Sequence, residues 1–77
     1  MVKAYVFINS EVDTSQEVAS KFKEIEGVTN AYVVFGNYDI VVEIIAETAK
    51  ELRDLITTSI RKVGHIIGTT TMVAVGD

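Results

Sequence analysis

The richest chemistry in this sequence sits in four consecutive residues, Gly36-Asn37-Tyr38-Asp39, within AYVVFGNYDIVVEII. A carboxylate such as Asp39 can hold an ammonium group through charge-assisted hydrogen bonds. The backbone N–H groups of a glycine-containing turn can cradle a carboxylate. A free α-amino acid carries both groups, so the string has the complement of such a ligand. The same residues also suit a plain hairpin: Gly36 and Asn37 supply positive φ, Asp39 bonds the turn backbone, and Tyr38 packs on a sheet edge. A second candidate is Gly68-Thr69-Thr70-Thr71. Thr69 and Thr71 alternate along a strand, share one face and offer two hydroxyls to a ligand's polar end. The plainer alternative is β propensity with hydroxyls turned to solvent.

Other chemistries lack their residues. The chain has no cysteine, so neither disulfides nor thiolate chemistry can occur. Its single histidine, His65, rules out multi-histidine metal clusters and reads as a helix C-terminal cap or dipole partner. No serine or cysteine stands by a general base, and neither GxGxxG nor GxxxxGK occurs, so no catalytic residue is expected. Glu43 reads as a water-facing residue or as a cross-strand partner of Lys3. Glu17, Lys21, Lys23 and Glu24 read as a solvated helix face.

Composition narrows the partners. Net charge is −4 and the seven basic residues are scattered, with Arg61-Lys62 the closest pair. Phosphate contacts need a basic face, so direct nucleic-acid binding is not expected. Apolar runs reach only five residues even with aromatics counted, as in Ala31–Phe35, too short to span a membrane. The start MVKAYVF leads straight into a strand pattern without a basic n-region or cleavage site, which points to the cytoplasm.

The candidate residues must be placed by a 77-residue chain that forms one domain. Residues 2–8 are apolar on both alternating sets, the mark of a strand covered on both faces. Thr14 and Glu17 have capping-box spacing, and Val18, Ala19, Phe22 and Ile25 then lie on one helical face that Gly27 ends. Two strands follow, 31–35 and 39–46, with GNYD as their hairpin. Thr48 and Glu51 repeat the capping-box spacing. Leu52, Leu55, Ile56, Ser59, Ile60 and Val63 form the face of a longer helix that Gly64 ends. A fourth strand is expected at 69–75. The capping boxes stand 34 residues apart, and Gly27-Val28 and His65-Ile66 stand 38 apart.

The order β-α-β-β-α-β predicts an α+β, ferredoxin-like split βαβ fold: a four-stranded antiparallel sheet with both helices on one face. The other face is not polar. If Val2, Ala4, Val6 and Ile8 face the helices, Lys3, Tyr5 and Phe7 face away. Ile40, Val42 and Ile44 likewise alternate with Val41, Glu43 and Ile45. The hydrophobic fraction is 48% and mean hydropathy is +0.29. A sheet with two apolar faces and helices for one needs a second cover, and another copy of the sheet is the economical one. A twofold homodimer joined through the sheets is therefore expected.

EGVTNAYVVFGNYDIVVEI followed by LITTSIRKVGHIIGTTTMVAV resembles the C-terminal effector-binding (RAM) domain of the Lrp/AsnC family of transcriptional regulators. Gly27-Val28, Gly36-Asn37-Tyr38-Asp39 and Thr69-Thr70-Thr71 stand in that family's order and spacing, across nearly all 77 residues. The sequence departs from the pattern at Gly64, where Pro is common, and at His65, where Gly is common. Full-length members carry an N-terminal helix-turn-helix domain, whereas this chain opens at the first RAM strand and so looks like a stand-alone RAM domain over residues 1–77.

The resemblance implies homodimers that ring up into octamers. It implies an amino-acid-like effector at subunit interfaces, no cofactor, and modulation of transcription, including mixed oligomers with full-length Lrp-type regulators. Gly36, Asn37, Tyr38 and Asp39 would form the effector loop. Thr69 and Thr71 would add hydroxyls from a neighbouring element or subunit. Two other classes stay open: a small monooxygenase- or isomerase-type enzyme on a dimeric ferredoxin-like barrel, and a purely structural oligomerisation module.

Overall fold

The computed structural model describes residues 1–74. The elements are β1 (Val2–Ser10), α1 (Ser15–Lys23), β2 (Val28–Val33), β3 (Ile40–Ala46), α2 (Ala49–Asp54), a π-helical stretch (Leu55–Ile60) that continues α2, and β4 (Ile66–Val73). The sheet is antiparallel throughout, in the order β2-β3-β1-β4. This is the ferredoxin-like split βαβ fold expected from the pattern.

Period-two alternation explains the two faces. Ala4, Val6 and Ile8 of β1 and Ile40, Val42 and Ile44 of β3 are fully buried, and they form one cluster with Val18, Ala19 and Phe22 of α1, Leu52 of α2 and Ile60. One shared cluster requires both helices on one face. α1 packs on β2 and β3, and α2 packs on β3 and β1. The helix side of the edge strand β4 is left largely open, with Val73 still 52% exposed. The opposite face carries Tyr5, Phe7 and Val41 at its centre with Tyr32 and Met72 to the sides, since each pairs in register with another open-face residue. Among the described residues no helix lies over it.

Local rules fail where other local hydrogen bonds compete. Thr48 caps α2 as expected: its Oγ1 accepts from the Glu51 N–H at 3.1 Å, and Glu51 Oε2 accepts from the Glu47 N–H at 3.3 Å. Thr14 does not cap α1. Its ψ is −3°, not the extended value an N-cap needs, and its hydroxyl donates to the Glu11 carbonyl at 2.7 Å. The long second helix departs from α geometry at Leu55. There the hydroxyl of Thr57 bonds the Arg53 and Asp54 carbonyls, and that of Thr58 bonds the Asp54 carbonyl, satisfying acceptors beside the widened turn.

Three boundaries move. β2 runs over Val28–Val33, and Phe35, expected inside it, is fully exposed in the hairpin. Gly64 does not carry the positive φ after the helix; His65 does, at 69°. With the chain reversed there, β4 starts at Ile66 rather than at residue 69, and Ile66 pairs with Ser10 across a bulge. Val75, the expected end of that strand, lies outside the described residues. Gly27 takes the expected positive φ, 98°, but the first helix ends before it, at Lys23 with Glu24 as its C-cap.

Candidate ligand-binding site

The GNYD region lies at one end of the sheet, where β2 and β3 turn. The Val34 N–H donates to the Asp39 carbonyl at 2.8 Å, so the loop proper is Phe35-Gly36-Asn37-Tyr38 and Asp39 stands at its base. Gly36 has φ 122°, which L side chains rarely adopt, whereas Asn37 is not in the positive-φ region expected for it. Gly36 and Asn37 are exposed; Tyr38 and Asp39 are half-buried.

Neither Tyr38 nor Asp39 does what a plain turn would ask of it. The Asp39 carboxylate does not bond its own hairpin. Its Oδ2 accepts from the N–H of Ser10, 29 residues earlier, at 2.8 Å, while its own N–H donates to the Ile8 carbonyl at 2.9 Å. Asp39 thus pins the end of β1. Its Oδ1 has no hydrogen-bond partner among the described residues. Tyr38 does not sit on an edge. Its ring lies 5.3 Å from that of Phe7, tilted by 45°, and its hydroxyl points to Thr70 Oγ1 at a long 3.4 Å. It therefore reaches over the open face from β3 towards β4.

The register separates the threonines. Thr69 pairs with Ile8 and Thr71 with Val6, both buried under the helices, so Thr69 and Thr71 share the helix-side face. Thr70 pairs with Phe7 on the open face and is the threonine that meets Tyr38. Sequence reasoning passed over Thr70 because alternation within Thr-Thr-Thr cannot tell which parity faces the helices; the partner strand's Phe7 was the available signal. Thr69 and Asp39 flank Ile8 from opposite sides, about two strand spacings or roughly 10 Å apart across β1. Thr71 belongs to a groove between α2 and β4.

The same end of the molecule holds the loop after the π-helical stretch. A cavity of about 540 Å³ is lined there by Arg61, His65, Ile66, Ile67 and Thr69 among others. The His65 Nδ1 lies 2.9 Å from Glu11 Oε1, and the His65 carbonyl accepts from the Glu11 N–H at 2.8 Å, tying this loop to the β1–α1 turn. The His65 side chain therefore meets a carboxylate rather than the helix end expected of it. A cavity of about 570 Å³ at the other end of the sheet, lined by Glu26, Glu47 and Glu51, contains none of the expected site residues. Among the described residues no three histidine, aspartate or glutamate side chains gather to hold a metal.

On the open face Glu43 is held by hydrogen bonds. Its Oε1 accepts from Thr29 Oγ1 at 2.7 Å and from Asn30 Nδ2 at 3.3 Å. These bonds, Thr29's first, hold its pKa below the usual carboxylate value, with smaller help from the Tyr5 hydroxyl and the Lys3 ammonium.

The chain belongs to the family of Lrp/AsnC ligand-binding domains, whose family model matches residues 3–76. It is 31% identical over 74 residues to an uncharacterised HTH-type transcriptional regulator of Pyrococcus furiosus, covering 92% of this chain and 49% of that one. It spans about half the length of this curated relative. Among solved structures it matches a hypothetical protein of Pyrococcus horikoshii with a TM-score of 0.93 and 36% identity, over 100% of this chain and 93% of that one. Escherichia coli AsnC matches with a TM-score of 0.90 and 19% identity, over 99% of this chain and 52% of that one, which shows a shared fold. No helix among the described residues is long and apolar enough to cross a membrane.

Proposed function

We propose that this domain binds a small amino-acid-like effector beside the GNYD hairpin and couples that binding to self-assembly. The observation that carries the proposal is the state of Asp39. One carboxylate oxygen is fixed by the Ser10 N–H, and the other has no partner among the described residues. A carboxylate oriented in this way suits an ammonium, and the exposed backbone around Gly36 suits the ligand's carboxylate. Thr69, on the helix-side face, lines the neighbouring cavity and would reach such a site only from another subunit. Thr71, on the opposite face of the sheet from Tyr38, would join such a site only from another subunit.

Assembly follows from the uncovered face. Tyr5, Phe7, Val41, Tyr32 and Met72 form an apolar, aromatic surface too continuous to be left to water in so small a domain. A second copy placing the same face against it would bury these residues about a twofold axis. Full-length regulators with this domain would present the same surface, so mixed assemblies are part of the proposal, as are rings of dimers. Effector binding shifts such an equilibrium only as far as the ligand prefers one assembly over another. The domain works without catalysis: its one imidazole is bonded to Glu11, and the Tyr38 hydroxyl faces Thr70 rather than a base.

The test is a thermal-shift screen of the twenty amino acids on wild type and on Asp39→Asn, which keeps an acceptor for the Ser10 N–H but loses the charge. A ligand at 100 times its Kd stabilises the folded state by about 2.7 kcal/mol. The expected result is a set of related amino acids that raise the Tm of wild type and not of Asp39→Asn. No response from wild type, or equal responses from both, would overturn the site.

A further inference from the structure

We infer that the groove between α2 and β4 is a second small-molecule site, for a short aliphatic monocarboxylate that lacks an ammonium group. It lies on the helix side of the sheet, away from the face that a second copy would cover, so it stays open in a sheet-to-sheet dimer. The inference does not rest on the effector reading of the hairpin.

The groove encloses about 320 Å³ and is lined by Leu52, Arg53, Ile56 and Thr57 on the helical side and by Thr71 and Val73 on β4. It exists for a topological reason. β4 is an edge strand, and the second helix lies over β3 and β1, so the helix side of β4 has no roof. The π-helical stretch then begins at Leu55, and its widened turn brings Ile56 and Thr57 to the groove wall. Wide turns of this kind are frequent at functional positions.

Its chemistry is asymmetric. Leu52, Ile56 and Val73 make an apolar floor. Arg53 has no carboxylate partner among the described residues, and the Thr71 hydroxyl has no hydrogen-bond partner among them. The Thr57 hydroxyl is already committed to the carbonyls of Arg53 and Asp54. A guanidinium and a free hydroxyl over an apolar floor match a carboxylate with an aliphatic tail. Among the described residues no acidic side chain lines the groove, so an ammonium there would meet Arg53's like charge. A zwitterionic amino acid is therefore the wrong ligand and its 2-oxo acid counterpart the right one. Its volume of about 320 Å³ is room enough for a short branched acid.

The experiment is a ¹⁵N–¹H correlation titration of the full chain with 4-methyl-2-oxopentanoate, with leucine and 4-methylpentan-1-ol as comparison probes. Saturable shifts of the Thr57, Thr71 and Val73 amides by the oxo acid, with weaker effects from both comparison probes, are expected. Arg53→Gln, exposed and outside the core, should keep the spectrum of the fold and weaken the oxo acid by about tenfold or more. Thr71→Val should weaken it less. Asp39→Asn should leave it unchanged, which separates this site from the hairpin site. Absent or non-saturable shifts at these amides, tighter binding of leucine in the groove, or an unchanged affinity in Arg53→Gln would overturn the inference.

Discussion

Asp39 and Ser10 are joined across 29 residues of chain by a 2.8 Å bond from the Ser10 N–H to the Asp39 carboxylate. Ser10 is only 7% exposed, so water cannot readily replace that acceptor. The residue that the sequence marks as a ligand contact is thus also the clasp between the hairpin and the end of β1. Asp39→Ala should lower stability by about 1–3 kcal/mol, the cost of an unsatisfied buried donor, and Asp39→Asn by less than half of that. Urea unfolding of the three proteins checks the order; equal losses would show that the clasp contributes nothing.

Three positive-φ positions should respond differently. At Gly27 an added Cβ would stand 3.0 Å from Leu55 Cδ2 and 3.4 Å from the Ile45 carbonyl, on top of the left-handed backbone. Gly27→Ala should cost roughly 2 kcal/mol or more. Gly36 has open space around it, so Gly36→Ala should cost about 1 kcal/mol from the backbone alone. His65→Gly relieves about 1 kcal/mol at φ 69° and loses an exposed hydrogen bond to Glu11 worth about 1 kcal/mol, so stability should barely move. Denaturation midpoints of the three variants give the test, with a large loss in His65→Gly as the contrary result.

Glu43 should give the sheet face a pH dependence. Its pKa in the folded chain is lowered by the Thr29 and Asn30 hydrogen bonds. Folding therefore favours the ionised form, so this contribution is complete above the unfolded chain's carboxylate pKa and fades as pH falls through the lower folded value. Carboxyl-carbon NMR titration should place Glu43 below 4.5 in wild type and closer to it in Thr29→Val. Identical titration midpoints in the two proteins would remove the hydrogen bonds as the cause.

The fold was legible in the sequence because its signals reinforce one another. The β1 and β3 alternation and the Val18-Ala19-Phe22 face point to the same packing, and both hold. The site was legible in part. Local spacing found Tyr38 and Asp39 but could not say what they touch, since Ser10, Phe7 and Thr70 are all distant in sequence. Capping-box spacing was the same at Thr14 and Thr48; only Thr48 caps, because the tight turn at Asp13, with φ 64°, leaves Thr14 with helical φ and ψ. The start of β4 moved because His65, not Gly64, reverses the chain. The faces of Thr69, Thr70 and Thr71 depend on register with β1, which no local window contains.

Sedimentation velocity on wild type and on Val41→Asp across a dilution series, with and without the most stabilising amino acid, shows whether the open faces stack and whether ligand shifts that assembly. Val41 lies at the centre of the open face, so a charge there should break the stacked sheets without disturbing the core. Wild type should sediment as a dimer or larger at micromolar concentration and change its distribution with ligand, while Val41→Asp sediments as a folded monomer. A wild type that remains monomeric at micromolar concentration, with or without ligand, would contradict the account.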